Sequence, residues 1–134
     1  TASGFDYGEA GTFGLEAIRA AYKYGDEWLD SLMEYINGNL EFLLSYVKKN
    51  IPKAKVMVPD ATYLVWIDFS DYKIDSKTLH KTLKYEGKIW LDEGYLFGKA
   101  GEGFERINIA CPRKILEEGL KRIKDCINKM DSQR

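Results

Sequence analysis

The residue best suited to hold a ligand is Arg106, in the run Phe104-Glu105-Arg106-Ile107-Asn108-Ile109. Alternation along a strand puts Ile107 and Ile109 on one face and Phe104, Arg106 and Asn108 on the other. A guanidinium in mid-strand, beside a polar amide, can offer a planar fork to a carboxylate. The competing reading is an arginine paired with a nearby Glu or Asp. A second candidate is the loop Gly94-Tyr95-Leu96-Phe97-Gly98-Lys99-Ala100-Gly101-Glu102-Gly103, whose glycines could let backbone N–H groups approach an anion. Ala100 stands after Lys99 where a phosphate loop needs Ser or Thr, and a strand follows instead of a helix. The phosphate-loop reading fails, which leaves a flexible connection between antiparallel strands.

Other reactive residue types lack company. Asp68, Asp71, Asp75, Asp92 and Glu93 fall in turns, where they cap and solvate, and spacing fixes no pair of them as an acid/base couple. His80 is the only histidine and has no Cys or Asp companion at triad or metal-ligand spacing. It reads as a surface or half-buried helix residue. Cys111 and Cys126 make neither a disulfide framework nor a zinc ligand set, and read as free thiols in a reducing cytoplasm. The residues thus offer one anion fork, no catalytic machinery and no metal site.

These residues need elements to position them. Leu15, Ile18 and Tyr22 recur at helical steps from Gly14 to Tyr24, and Gly25 stops that helix in a way that permits a left-handed cap. Asp26 is a plausible N-cap for the next helix. Leu29, Leu32, Met33, Ile36, Leu40, Leu43, Leu44 and Val47 form one apolar stripe that keeps its phase across Asn37-Gly38-Asn39. One long helix to about Asn50 is therefore predicted, despite a triplet that ordinarily marks a turn. Beyond Pro52 the period becomes two, giving strands over Lys55–Val58 and Thr62–Asp68 with a turn at Pro59-Asp60. Asp75-Ser76 caps a helix carrying Leu79, Leu83 and Tyr85, which Gly87 ends. Strands follow at Lys88–Leu91 and Phe104–Ala110. Pro112 then opens a helix whose apolar face is Ile115, Leu116, Leu120, Ile123 and Ile127, with Glu117–Lys121 and Glu118–Arg122 paired on the surface and a frayed tail from Asp131. Trp28, Trp66 and Trp90 read as packing residues. The order predicts an α+β two-layer domain, a mostly antiparallel four-stranded sheet covered by helices, rather than a doubly wound parallel fold.

At 134 residues the chain is one domain's length, and 45% hydrophobic with 31% charged residues is a globular balance. Twenty Lys plus Arg nearly cancel 21 Asp plus Glu, which argues against a nucleic-acid or anionic-membrane binder. The longest apolar run, Tyr63-Leu64-Val65-Trp66-Ile67, is strand-sized and too short to cross a bilayer. The start has neither a basic nor an apolar signal-peptide region.

Several stretches together resemble a known family. Phe13-Gly14-Leu15-Glu16-Ala17, Ala20-Ala21-Tyr22, Gly25-Asp26-Glu27-Trp28-Leu29 and Asn39 are similar to the start of the C-terminal segment of fold-type-I pyridoxal-phosphate enzymes, in particular the MalY/PatB-type cystathionine β-lyase branch. Thr62-Tyr63-Leu64-Val65-Trp66-Ile67-Asp68 resembles a strand of that branch. Trp90-Leu91-Asp92-Glu93-Gly94-Tyr95-Leu96-Phe97-Gly98 looks like its loop, and Arg106-Ile107-Asn108-Ile109-Ala110-Cys111-Pro112-Arg113 like its C-terminal signature. The likeness runs from about Phe13 to Ile127; residues 1–12 match poorly and read as a leader or inter-domain segment, with Gly11 where the family often has Asn.

The resemblance implies a small domain whose Arg106 binds the α-carboxylate of an amino-acid substrate, with Asn108 and Gly94 as supporting residues. It implies pyridoxal 5'-phosphate in the parent protein, a thiolate leaving from Cβ, a cytoplasmic homodimer, and no nucleic-acid or membrane partner. The lysine that anchors the cofactor and the residues that cradle it belong to a large domain not represented in this sequence, so the chain alone is expected to be inactive. Leu15, Ile18 and Tyr22 would then be left to drive self-association. An amino-acid aminotransferase, or the ligand-sensing module of a transcription regulator, would use the same domain.

Overall fold

The computed structural model describes residues 11–132, so nearly all of the 1–12 leader lies outside them, as do the last two residues. The chain divides into two units, with the boundary between Tyr35 and Ile36 inside a helix. In the first unit α1 (Thr12–Tyr24) carries Leu15, Ile18 and Tyr22, all exposed, and none of its residues is buried. Gly25 follows in a right-handed conformation at φ −91°, not a left-handed one. Its lack of a side chain is still needed, because a Cβ there would lie 2.4 Å from the Ala21 carbonyl oxygen. Asp26 is the first residue of α2 rather than its cap.

Helix α2 (Asp26–Asn50) is continuous through Asn37-Gly38-Asn39. The second unit begins within it and holds the sheet, in the order β1 (Lys55–Met57), β2 (Leu64–Asp68), β4 (Phe104–Asn108), β3 (Asp92–Glu93), every pair antiparallel. Helices α3 (Ser76–Tyr85) and α4 (Arg113–Ser132) complete it. Val65, Ile67, Ile107 and Ile109 share a core with Ile36, Leu43 and Val47 of α2, Leu79 and Leu83 of α3, and Leu116, Leu120, Ile123 and Ile127 of α4. This is the predicted α+β layering.

Several local expectations shift. Thr62 takes a positive φ of 69°, so the segment bends there and β2 starts two residues later. Lys88 is also at positive φ, and the Ile89 N–H donates to the Leu83 carbonyl. Lys88–Leu91 thus finishes the turn after α3, and β3 is only Asp92–Glu93. Tyr85 and Ile115 are exposed rather than apolar-face residues, and Trp28 and Trp90 are about 70% exposed or more. Lys84 sits over the Trp90 ring at 3.7 Å. Of the two expected α4 pairs, Glu118–Arg122 forms, at 2.9 Å. Asp131 is helical and binds Lys53 at 2.8 Å instead of fraying. Among the described residues no helix is long and apolar enough to cross a membrane.

Candidate functional site

The face of the sheet turned away from the core carries Trp66, Phe104, Arg106 and Asn108, as strand alternation requires. Trp66 and Arg106 are directly opposed across β2 and β4, and Asp92 of β3 opposes Arg106 from the other side. Asp92 Oδ2 accepts from Arg106 Nε at 3.1 Å and from Nη2 at 2.9 Å. The guanidinium carbon also lies 4.6 Å from the Phe97 ring centre and 5.5 Å from that of Trp66, favourable cation–π positions. Trp66 meets Phe97 edge-on at 5.2 Å. One counter-ion and two rings therefore hold the guanidinium, whose side chain is 24% exposed. Asp92, read from the sequence as a solvating turn residue, is the partner that fixes the fork. Beside it, Met57, Trp66, Phe97, Ala100, Gly101 and Phe104 line an apolar cleft of about 350 Å³.

The other two sequence candidates are structural in their contacts. Asn108 Oδ1 accepts from the Ala110 N–H at 2.8 Å, closing the end of β4. Gly94 is buried at the start of a short 3-10 turn, Gly94–Phe97. A Cβ on it would lie 2.2 Å from the Gly101 carbonyl oxygen, and one on Gly101 would lie 2.0 Å from that of Gly94. These glycines permit two backbone stretches to touch. The loop's far end is pinned: the Gly103 N–H donates to Ser76 Oγ at 2.8 Å, and Ser76 Oγ donates to Glu102 at 2.6 Å.

Sequence reasoning missed two buried polar groups. Asn39 is fully buried in α2; its Nδ2 donates to the carbonyls of Ile109 (2.8 Å) and Cys111 (2.9 Å), and its Oδ1 accepts from Arg113 Nε at 2.7 Å. This explains why α2 runs through a turn-like triplet: the middle of the helix is bonded to the β4–α4 connection. The other group is His80, buried rather than half-exposed. Its Nε2 lies 2.8 Å from Glu93 Oε1 and its Nδ1 3.6 Å from Glu105 Oε2. Glu105 is 1% exposed. Burial, then the nearby charges of Glu93 and Asp92, raise its carboxyl to about 8. The one sequence signal was a glutamate at an inward-facing strand position. Cys111 and Cys126 are free thiols, and burial raises both. Among the described residues no His, Cys, Asp and Glu cluster could hold a metal ion.

No family model matches the chain. It is 40% identical over 121 residues to the cystathionine β-lyase PatB of Bacillus subtilis, an alignment covering 90% of this chain and 31% of that protein. A pyridoxal-phosphate-bound structure from Clostridium difficile 630 superposes with a TM-score of 0.85 at 45% identity, over 87% of this chain and 30% of that one. The chain is a homologue of part of the MalY/PatB-type, fold-type-I pyridoxal-phosphate enzymes. Cystalysin from Treponema denticola, whose structure contains pyridoxal 5'-phosphate, matches at a TM-score of 0.84 and 36% identity, over 88% of this chain and 30% of that one. The chain thus spans about 30% of the length of these proteins.

Proposed function

We propose that the chain is the C-terminal, carboxylate-binding small domain of a pyridoxal-phosphate-dependent C–S β-lyase that releases a thiol, pyruvate and ammonia from an amino acid of the cystathionine kind. The observation that carries this reading is the held guanidinium of Arg106 on the face of the sheet turned away from the core. Both bonds that Arg106 donates to Asp92 use its Nε–Nη2 side, so the Nη1–Nη2 edge is the one available to a substrate carboxylate. A fork already fixed by a counter-ion and two rings loses little freedom on binding. Gripping the α-carboxylate fixes where Cα stands, which is an orientation effect. The electron sink for breaking a bond at Cα is the chemistry that pyridoxal phosphate supplies, held by the rest of the parent. This chain binds and orients, and alone it is inactive. The parent acts as a homodimer in the cytoplasm.

The test is the full-length protein with cystathionine as substrate, followed by pyruvate and thiol release. Arg106→Ala is expected to raise KM roughly 100-fold, the scale of a lost charge-assisted pair of hydrogen bonds, with a smaller change in kcat. An unchanged KM removes the fork from the substrate site. Amino-group transfer without thiol release makes the parent an aminotransferase.

A further inference from the structure

The cluster of His80, Glu93 and Glu105 lies on the opposite side of the sheet from the Arg106 fork, and the proposed function does not use it. Glu93 and Glu105 are directly opposed in the β3–β4 ladder, an arrangement that is destabilising for two ionised carboxylates. Between them stands the imidazole of His80 from α3, with one nitrogen toward each. Neither ring nitrogen nor Glu105 Oε2 has an aligned hydrogen-bond partner, so these are close polar contacts rather than aligned hydrogen bonds. The groups acting on Glu105 besides His80 are both acidic, Glu93 and Asp92. Nearby Tyr95 feels Glu93, Glu105, Glu102 and Asp75, all acidic too. A buried and a half-buried carboxylate around one ring are tolerable when the three groups share one added proton. That proton gives either an imidazolium between two carboxylates or a neutral imidazole beside one carboxylic acid, and the count is the same.

The link to the fork is β3 itself. This strand has two residues, and its ladder is two pairs: Asp92 with Arg106 and Glu93 with Glu105. Asp92 faces out and holds the guanidinium, while Glu93 faces in and meets His80. A two-residue strand has little ladder of its own, so the inner contact helps to decide where Asp92 stands.

We propose that His80, Glu93 and Glu105 form a proton-holding clamp that seats β3 against α3 and thereby positions the Arg106 fork, gripping while the shared proton is present and loosening when it leaves. His80, Glu93 and Glu105 are positioning residues. The clamp's effect on substrate rests on the fork reading above; its existence does not.

His80 is the only histidine in the chain, so its ring C–H resonances report the cluster directly when the chain is titrated by NMR. Glu105→Gln keeps the shape and removes one carboxylate, and Glu93→Gln does the same on the other side. Each is expected to move the pH at which the cluster gives up its shared proton, read in those resonances. A transition that neither substitution moves overturns the clamp. In the full-length enzyme, KM is expected to rise roughly tenfold from pH 7 to pH 9, with kcat following less, and Glu105→Gln is expected to flatten that rise. A moved His80 transition with the same KM slope in both proteins overturns the positioning role alone. An unchanged KM in Arg106→Ala removes the fork and with it the role, whichever way His80 titrates.

Discussion

Asn39 illustrates how much one amide can hold. All its hydrogen-bonding capacity that the structure uses is spent across some 70 residues of sequence, on Ile109, Cys111 and Arg113. Asn39→Ala would leave a buried carbonyl, a part-buried one and a guanidinium without this partner. It is expected to cost about 2–4 kcal/mol, read as a lower urea midpoint in chemical denaturation; a loss under 0.5 kcal/mol would mean that water replaces the amide at no cost. Arg106 was legible in the sequence because alternation alone decides which face it takes. Asp92 was not, because its partner is chosen by strand pairing between residues 14 apart in sequence. His80 was misplaced for a related reason: its companions are glutamates on two other elements, and no local spacing reveals them.

At the scale of elements, Glu105 gives stability a pH dependence with a definite sign. Its carboxyl sits at about 8 in the folded chain against 4.5 when unperturbed. The folded state therefore keeps a proton that the unfolded chain gives up, and stability is greatest below about pH 4.5 as far as this group is concerned. It declines as pH rises and is fully lost once pH passes about 8. Glu105→Gln is expected to remove this slope, leaving the variant the more stable of the two at pH 8.5 by a few kcal/mol at most. Equal slopes of denaturation midpoint against pH in the two proteins would contradict it. Helix α2 could be read as one element since its apolar phase never broke. The β3 segment could not, because Ile89-Trp90-Leu91 has strand-like composition while the backbone at Lys88 turns the chain back toward α3.

For the whole molecule, the first unit sets the prediction. Phe13, Leu15, Ile18 and Tyr22 on α1 and Trp28 on the first turn of α2 are all exposed, and large apolar side chains left in water favour association. Light scattering is expected to show a mass above 15.4 kDa that rises with concentration, and replacing Leu15, Ile18 and Tyr22 by Ser is expected to return it to that of one chain. A constant single-chain mass in the unaltered protein would contradict this. Sequence patterning gave the layers correctly because burial is a property of many residues at once. The pairings that make the candidate site are each set by one contact, and patterning does not see them.

The peptide bond between Asp92 and Glu93 divides outward chemistry from inward chemistry within a single pleat. A slip of one residue that set Glu93 opposite Arg106 would bring Gly94 opposite Glu105, leaving no side chain there to meet the imidazole. The order of these two acids, with Leu91 before them and Gly94 after, is thus a key to strand register, and it lets the edge of this sheet recognise its own alignment.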